Sequence, residues 1–247
     1  LFRSTLLILF AAPGALAVLT AKLLAPLQLG QLSDRLRIAF ERAVPTRVDI
    51  NASEDRPATP QQPRSGFTDT EQAERVQGFL RTIGLQQGFA PLVVLMGHGS
   101  SSQNNPHLAA YDCGACSGRR AGPTARVFAA MATRPDVRAP LRERGCNIPD
   151  DTRFLGAEHN TCSEAISWYD LDQLPPAARP GFEKLNSDLA VATSGSAHER
   201  ARRLASAPTN PSPQRALQHM MGRARDFSQA RPELGHATNA AAIIGRR

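Results

Sequence analysis

The chain has 247 residues, 41% of them hydrophobic and 21% charged, which is enough to bury a core as one or two domains. Its 29 Lys and Arg residues and 22 Asp and Glu residues give a formal net charge of +7, which suits an acidic membrane surface or a small anion. Aromatic residues make up only 5%, and the chain has no helix-turn-helix, zinc-finger or RNP-like pattern, which argues against a nucleic-acid-binding protein.

The N-terminal residues are apolar over about the length of a short membrane span, ~17–20 residues. Pro13 and Gly14 interrupt the middle of this run, so we expect a buried or membrane-adjacent helical hairpin rather than a spanning helix. Residues 30–45 have apolar residues at helical spacing and stop at Pro45. Residues 1–45 are therefore predicted to form one apolar helical segment.

Both ends of the chain lie inside apolar patterns. Leu1 is already within the first apolar run, and the chain closes on Ala-Ala-Ala-Ile-Ile-Gly-Arg-Arg, which resembles a strand just starting. We therefore expect a fragment of a longer protein. Residues 46–68 are polar and Pro-rich, which predicts a linker, and residues 69–247 are predicted to form an α/β domain.

That domain opens with a predicted helix. Thr68 followed by Glu71 is a typical helix start, and Gly84 is a typical stop. The stripe of apolar residues expected to face the core is Ala73, Val76, Phe79, Leu80 and Ile83.

A short apolar run follows at residues 91–97, Pro-Leu-Val-Val-Leu-Met-Gly, and predicts a central strand of a parallel sheet. After a polar stretch, two short helices separated at Pro135 are expected, then a second strand over residues 151–160 and a long helix over residues 181–206. This alternation predicts an α/β fold with a parallel sheet, a helical N-terminal region and helical insertions.

Potential metal ligands lie where the first strand ends. In α/β sheets ligands bind at the carboxyl ends of strands, and His98 lies at such an end. Gly97 and Gly99 are expected to let the backbone turn sharply and approach a ligand. Cys113 follows the polar stretch, and a histidine nitrogen with a cysteine sulfur is a typical zinc ligand set.

Each of these residues also has a purely structural interpretation. His98 is also typical of a hydrogen-bonded structural histidine. Cys113 and Cys116 are also compatible with small buried hydrophobic residues, a redox pair or half of a structural zinc site.

Other polar residues lie nearby in the sequence. Arg119 and Arg120 are compatible with either an anion-binding pair or a solvated surface. Glu158, His159 and Asn160 follow the second strand and face the same edge of the sheet, with core or hydrogen-bonding roles favoured over ligation.

Three stretches resemble the DabA family of inorganic carbon transporter subunits, whose core is similar to a β-class carbonic anhydrase. They are residues 93–138, which begin Val-Val-Leu-Met-Gly-His-Gly, residues 148–164 and residues 231–244. The resemblance implies that His98 and Cys113 bind Zn²⁺. In the family a second pair of ligands, Cys-x-Asp, lies upstream of these two; no cysteine precedes Cys113 here, so that pair is absent from this chain.

The resemblance also implies a function. The family's zinc subunit converts CO2 to bicarbonate by a carbonic-anhydrase-like zinc-hydroxide mechanism, and works with a membrane cation-conducting subunit, DabB, at the cytoplasmic side of the inner membrane. We expect this chain alone to bind zinc weakly and to be inactive, because a catalytic zinc needs about three protein ligands.

Two other interpretations stay open. A strand that ends Gly-His-Gly-Ser also resembles tetrapyrrole metal chelatases. A zinc-stabilised interaction module without catalysis would instead use Cys113, Cys116, His159 and Cys162.

Overall fold

The computed structural model describes residues 2–40, 46–52, 59, 64–100, 120–226 and 228–229. The described part contains seven α-helices, three strands and two short 3₁₀ turns (Leu171–Gln173 and Pro176–Ala178). In chain order the helices and strands are α1 (Phe2–Leu24), α2 (Pro26–Phe40), α3 (Asp69–Thr82), β1 (Leu92–Gly99), α4 (Gly122–Thr133), α5 (Pro135–Glu143), β2 (Arg153–Asn160), β3 (Ala165–Trp168), α6 (Arg179–Ala201) and α7 (Pro213–Arg225).

The three strands form one mixed sheet in the order β1-β2-β3. β1 runs parallel to β2, from the pair Leu92–Arg153 to the pair Gly99–Asn160, and β3 runs antiparallel to β2. The α/β prediction is therefore confirmed, with the correction that the described sheet is mixed rather than parallel throughout. The likeness to a β-class carbonic anhydrase core stays a prediction.

β1 lies at an edge of the described sheet, so the prediction of a central strand is wrong for the described residues. Its first four residues are half-buried, and Met96 is 36% exposed. A continuous apolar run indicates that both faces of a strand meet other groups. It carries no information about how many strands pair with it, which explains the error.

One face of the sheet carries the main core, formed with α3, α4 and α5. Phe128 of α4 is at its centre, with ring centroids 4.8 Å from Phe79 and 6.1 Å from Phe154 in edge-to-face geometry. The buried hydrophobic residues of this core are Ala73, Val76, Leu80, Phe128, Ala129, Met131, Ala132, Val137, Leu141, Cys146, Ile148 and Phe154.

The predicted start and stop of α3 are both confirmed. The Thr68 hydroxyl accepts a hydrogen bond from the Glu71 N–H, and the Glu71 carboxylate accepts one from the Thr68 N–H, which completes a capping box. Gly84 adopts a φ of +77°, and the Leu85 N–H donates to the Leu80 carbonyl. Ile83 is 54% exposed rather than buried, because it is the C-cap residue beyond the last helical turn.

The other face of the sheet meets α6 through β3. The Trp168 ring packs edge-to-face on Phe182 at 5.0 Å, and its indole N–H donates to Asn186. Helix α6 in turn packs on α7 through a small second cluster of buried residues, namely Ala197, Ala201, Leu204, Ala216 and Met220.

The N-terminal helices differ from the predicted pattern. α1 continues through Pro13, so the expected interruption there is wrong; the φ of proline is compatible with a helix, although proline lacks an N–H donor and crowds the preceding turn. The chain breaks instead before Pro26, at the first position of α2, where the missing N–H costs nothing. α2 is anchored to α7 by a 2.6 Å ion pair between Asp34 and Arg225. In the described part of the chain no helix has the length and apolar character needed to cross a membrane.

The described parts of the predicted linker contact the sheet domain. Asn51 bridges to Phe67, and its side chain accepts a hydrogen bond from Gln72 of α3. Arg126 of α4 donates to the Thr46 carbonyl and hydroxyl. Both ends of residues 46–68 are therefore held against the core, while the domain boundaries themselves stay a prediction.

Candidate functional site at the carboxyl ends of β1 and β2

Two histidines lie side by side where β1 and β2 end. His98 is the register partner of His159, and partners in adjacent parallel strands project their side chains to the same face of the sheet. The Thr161 N–H donates to the Gly99 carbonyl at 2.8 Å, which continues the pairing past the last ladder residue. The prediction that residues 158–160 face the same edge as His98 is confirmed for His159 only: all three residues lie within β2 rather than after it, and Glu158 and Asn160 project to the other face.

The chain leaves β1 after Ser100 and is described again from Arg120. The Ala121 N–H donates to the His98 carbonyl at 2.9 Å, so the described chain resumes beside His98. Cys113, Cys116 and Arg119 belong to that segment and lie outside the described residues. The predicted proximity of His98 to Cys113 therefore stays a prediction.

His159 is held by a buried carboxylate. Its Nε2 lies 3.1 Å from Oε2 of Glu164, whose side chain is 2% exposed, and Arg200 of α6 contacts the other carboxylate oxygen. Burial lowers the pKa of His159 below its ordinary value, and the positive charge of Arg200 acts in the same direction. A neutral imidazole that donates Nε2–H to Glu164 leaves Nδ1 as an acceptor. A carboxylate behind a histidine is also the usual support of a metal-site histidine.

The turn after β2 is fixed by further hydrogen bonds. Oδ1 of Asn160 accepts from the N–H groups of Cys162 and Ser163, and the buried Sγ of Cys162 lies 3.2 Å from the Ser100 hydroxyl. Cys162 is thus part of the packing between the two strand ends. Within the described residues, no three His, Cys, Asp or Glu side chains come together as a metal site.

The glycines on either side of His98 have a packing role that differs from the predicted one. Both lie within β1, and neither is in a left-handed conformation. A Cβ on Gly97 would lie 2.6 Å from the Ala121 backbone, and one on Gly99 would lie 2.8 Å from Oε1 of Glu158. The prediction of a sharp turn towards a ligand is therefore wrong: these glycines make room for the start of α4 and for a buried carboxylate.

Glu158 is that carboxylate, on the face of the sheet opposite His98. Its Oε2 accepts from the Gly122 N–H at 3.3 Å, and its Oε1 lies 3.7 Å from the Arg120 guanidinium. Burial raises the pKa of the neighbouring Tyr169, and the charge of Glu158 adds to that effect. Sequence reasoning assigned Glu158 a core or hydrogen-bonding role, which is confirmed. It missed Glu164 and Arg200, which lie far apart in the chain and share no motif.

Comparison with known proteins places the whole chain in one family. Residues 1–247 match the family described as "Probable inorganic carbon transporter subunit DabA". Proteins of that name from Methylococcus capsulatus, Dechloromonas aromatica and Nitrosococcus oceani are 60%, 59% and 55% identical over 248, 236 and 248 residues. The alignments cover 100%, 96% and 100% of this chain but only 23%, 23% and 22% of the relatives. The chain thus spans less than a quarter of their length. No solved structure matches it. On the family match and these identities, the chain belongs to the DabA family.

Proposed function

We propose that this chain is part of the zinc-dependent subunit of an inorganic carbon uptake system, and that the complete subunit converts CO2 to bicarbonate. The observation that carries the proposal is the hydrogen bond from the Ala121 N–H to the His98 carbonyl. It holds Ala121, which follows the segment that contains Cys113 in the chain, against the predicted ligand residue His98. Membership of the DabA family supports this function over the chelatase alternative.

The residues fit zinc by chemistry. A histidine nitrogen and a cysteine sulfur are ligands that Zn²⁺ prefers, and His98 and Cys113 would supply two of about three protein ligands. Zinc, when bound, makes a water molecule ionise near pH 7, which supplies hydroxide for attack on CO2. His98 is well placed to hold such a site, because its backbone is fixed by the ladder to β2 and by Ala121.

His159 would border the same site from β2. Glu164 and Arg200 fix its ring, so its position is set by a buried ion pair rather than by solvent. Its depressed pKa keeps the imidazole uncharged near neutral pH, which avoids repulsion beside a metal cation.

We also propose a location and a partner. The names of the relatives describe a transporter subunit, and a membrane cation-conducting subunit similar to DabB is the partner we infer. Docking at the cytoplasmic face of the inner membrane is supported by the net charge of +7 and by exposed apolar residues of α1 and α2. Leu9, Phe10, Leu24 and Phe40 are among those exposed residues.

The activity is tested by inorganic carbon uptake in cells that express the full-length subunit with its membrane partner. His98→Ala and Cys113→Ala are expected to abolish uptake, since each removes a zinc ligand. The matched control Cys146→Ala removes a thiol that is buried in the core away from the strand ends, and uptake should persist. Full uptake with His98→Ala would contradict the proposal.

A further inference from the structure

The outer edge of β1, on the side away from β2, is open over most of its length. The carbonyls of Pro91 and Gly99 accept hydrogen bonds from β2 and from the turn after it, so every second residue of β1 directs its backbone groups towards β2. The residues between them direct their backbone groups outward, namely Leu92, Val94 and Met96. Across the described residues, no group forms a hydrogen bond with the outward N–H and C=O groups of these three.

The side chains along this edge are apolar and only partly covered. Residues 92–95 are half-buried, and Met96 is 36% exposed. Native proteins protect strand edges with charged residues, proline, a bulge or a very short strand. Residues 92–96 contain no charged residue and no proline, and their pairing with β2 is regular. β3, at the opposite edge of the described sheet, has only four residues and is protected in this way, whereas β1 has eight.

The open edge has the dimensions of one strand. At its far end the Ala121 N–H donates to the His98 carbonyl, so the start of α4 closes the edge there. The open part, Leu92–Met96, is about 17 Å long at ~3.3 Å per residue, which is a typical length for a strand in a sheet. A strand paired there would bond to the outward backbone groups and shield the apolar side chains beside them.

We propose that the outer edge of β1 binds a β-strand from the part of the polypeptide that lies outside these 247 residues. The chain spans less than a quarter of the length of its relatives, so most of a polypeptide of that length is available to supply the strand. A segment of the same polypeptide is favoured over a second copy, because a covalent link gives a high effective concentration. The inference goes beyond the proposed function and does not depend on zinc.

Hydrogen exchange at single-amide resolution tests the pairing in the polypeptide at the full length of its relatives. The amides of Val93 and Leu95 face β2 and are the internal control. The outward amides of Leu92, Val94 and Met96 are expected to exchange within about tenfold of these two, because all five amides then open only with the sheet. If the outward amides exchange more than about tenfold faster than the inward ones, β1 is a free edge and the inference is overturned.

Photo-cross-linking then identifies the occupant in the same full-length polypeptide. The photoreactive residue para-benzoylphenylalanine replaces Met96, and mass spectrometry identifies the peptide that it captures. We expect a peptide of the same molecule from outside these 247 residues. The matched control carries the probe at Val191, which is exposed on α6, and should not capture that peptide. A cross-linked dimer, capture only within the 247 residues, or no capture from position 96 would overturn the inference. The exchange measurement needs no substitution, so it decides the pairing even where the probe disturbs folding.

Discussion

Nε2 of His159 lies 3.1 Å from Oε2 of Glu164, and Arg200 contacts the same carboxylate from helix α6. Glu164 has a φ of 61°, a left-handed conformation that is uncommon for a residue with a long side chain. The strand end, the turn after it and α6 are therefore linked through one buried charge.

Removing that charge should destabilise the fold. Glu164→Ala leaves Arg200 buried without its counter-charge, and loss of one partner of a buried pair costs about 3–5 kcal/mol. Urea unfolding of the 247-residue chain measures the change. Glu199→Ala in the same helix breaks an exposed pair with Arg203 and should cost less than about 1 kcal/mol. Equal effects of the two variants would show that the Glu164 pair contributes nothing beyond a surface contact.

The depressed pKa of His159 predicts how stability depends on pH. In the unfolded chain His159 binds a proton at about pH 6.5, whereas in the folded chain it does so only at lower pH. The unfolded state therefore binds the proton first as the pH falls. The contribution of His159 is therefore fully present above pH 6.5 and is lost as the pH falls towards its folded pKa. Between pH 7.5 and 5.5, His159→Gln should lose less free energy of unfolding than the unmodified chain.

A second histidine provides an internal check on that result. Burial and the charge of Arg223 also lower the pKa of His219 in α7, so His219→Gln should flatten the same profile independently. A profile that is identical in the unmodified chain and in both single variants would refute the assignment of acid sensitivity to these buried histidines.

Gly97 should not tolerate a side chain. Gly97→Ala places a Cβ 2.6 Å from the Ala121 backbone, and overpacking of this kind costs about 1–3 kcal/mol. Gly78 lies on the exposed side of α3 with open space around it, so Gly78→Ala should stabilise the chain by about 0.5–1 kcal/mol. Chemical unfolding of both variants measures the two changes in the free energy of unfolding, which should have opposite signs. If Gly97→Ala leaves the free energy of unfolding unchanged, β1 and α4 are not in close contact.

These glycines illustrate which parts of the fold the sequence could predict. The start and stop of α3 follow from Thr68, Glu71 and Gly84, because caps are made by residues close in the chain. The two main strands were predicted from local apolar runs. Close packing of Gly97 on Ala121, by contrast, depends on how separate elements dock, and a glycine beside a histidine gives no sign of which neighbour needs the space.

The position of the candidate site in the fold could be predicted to a similar extent. His98 follows from its place at a strand end, and residues 158–160 from the next strand. The ion pair of Glu164 with Arg200 joins a turn to the end of a helix much later in the chain. No local sequence pattern indicates such a contact. The continuity of α1 through Pro13 also escaped prediction, because a proline inside a helix loses a hydrogen bond and crowds the preceding turn, and therefore usually indicates a break.

The apolar surface of the N-terminal helices should matter for assembly. Phe10 is 84% exposed on α1, so Phe10→Ser should leave the stability of the subunit unchanged and weaken its co-purification with the membrane subunit. Val191→Ser changes a similarly exposed apolar residue on α6 and is the control, with co-purification retained. Unaltered assembly of the Phe10 variant would exclude this part of α1 from the interface.

The central claim, that His98 and Cys113 belong to one catalytic zinc site, is tested most directly by metal analysis after dialysis. The polypeptide at the length of its relatives should retain one zinc per chain and lose it in His98→Ala, whereas the 247-residue chain should retain less than stoichiometric zinc, because it offers fewer than the three ligands that a catalytic zinc needs. Tight stoichiometric zinc in the 247-residue chain, lost in Cys116→Ala or Cys162→Ala but kept in His98→Ala, would contradict the account and establish a structural zinc module instead.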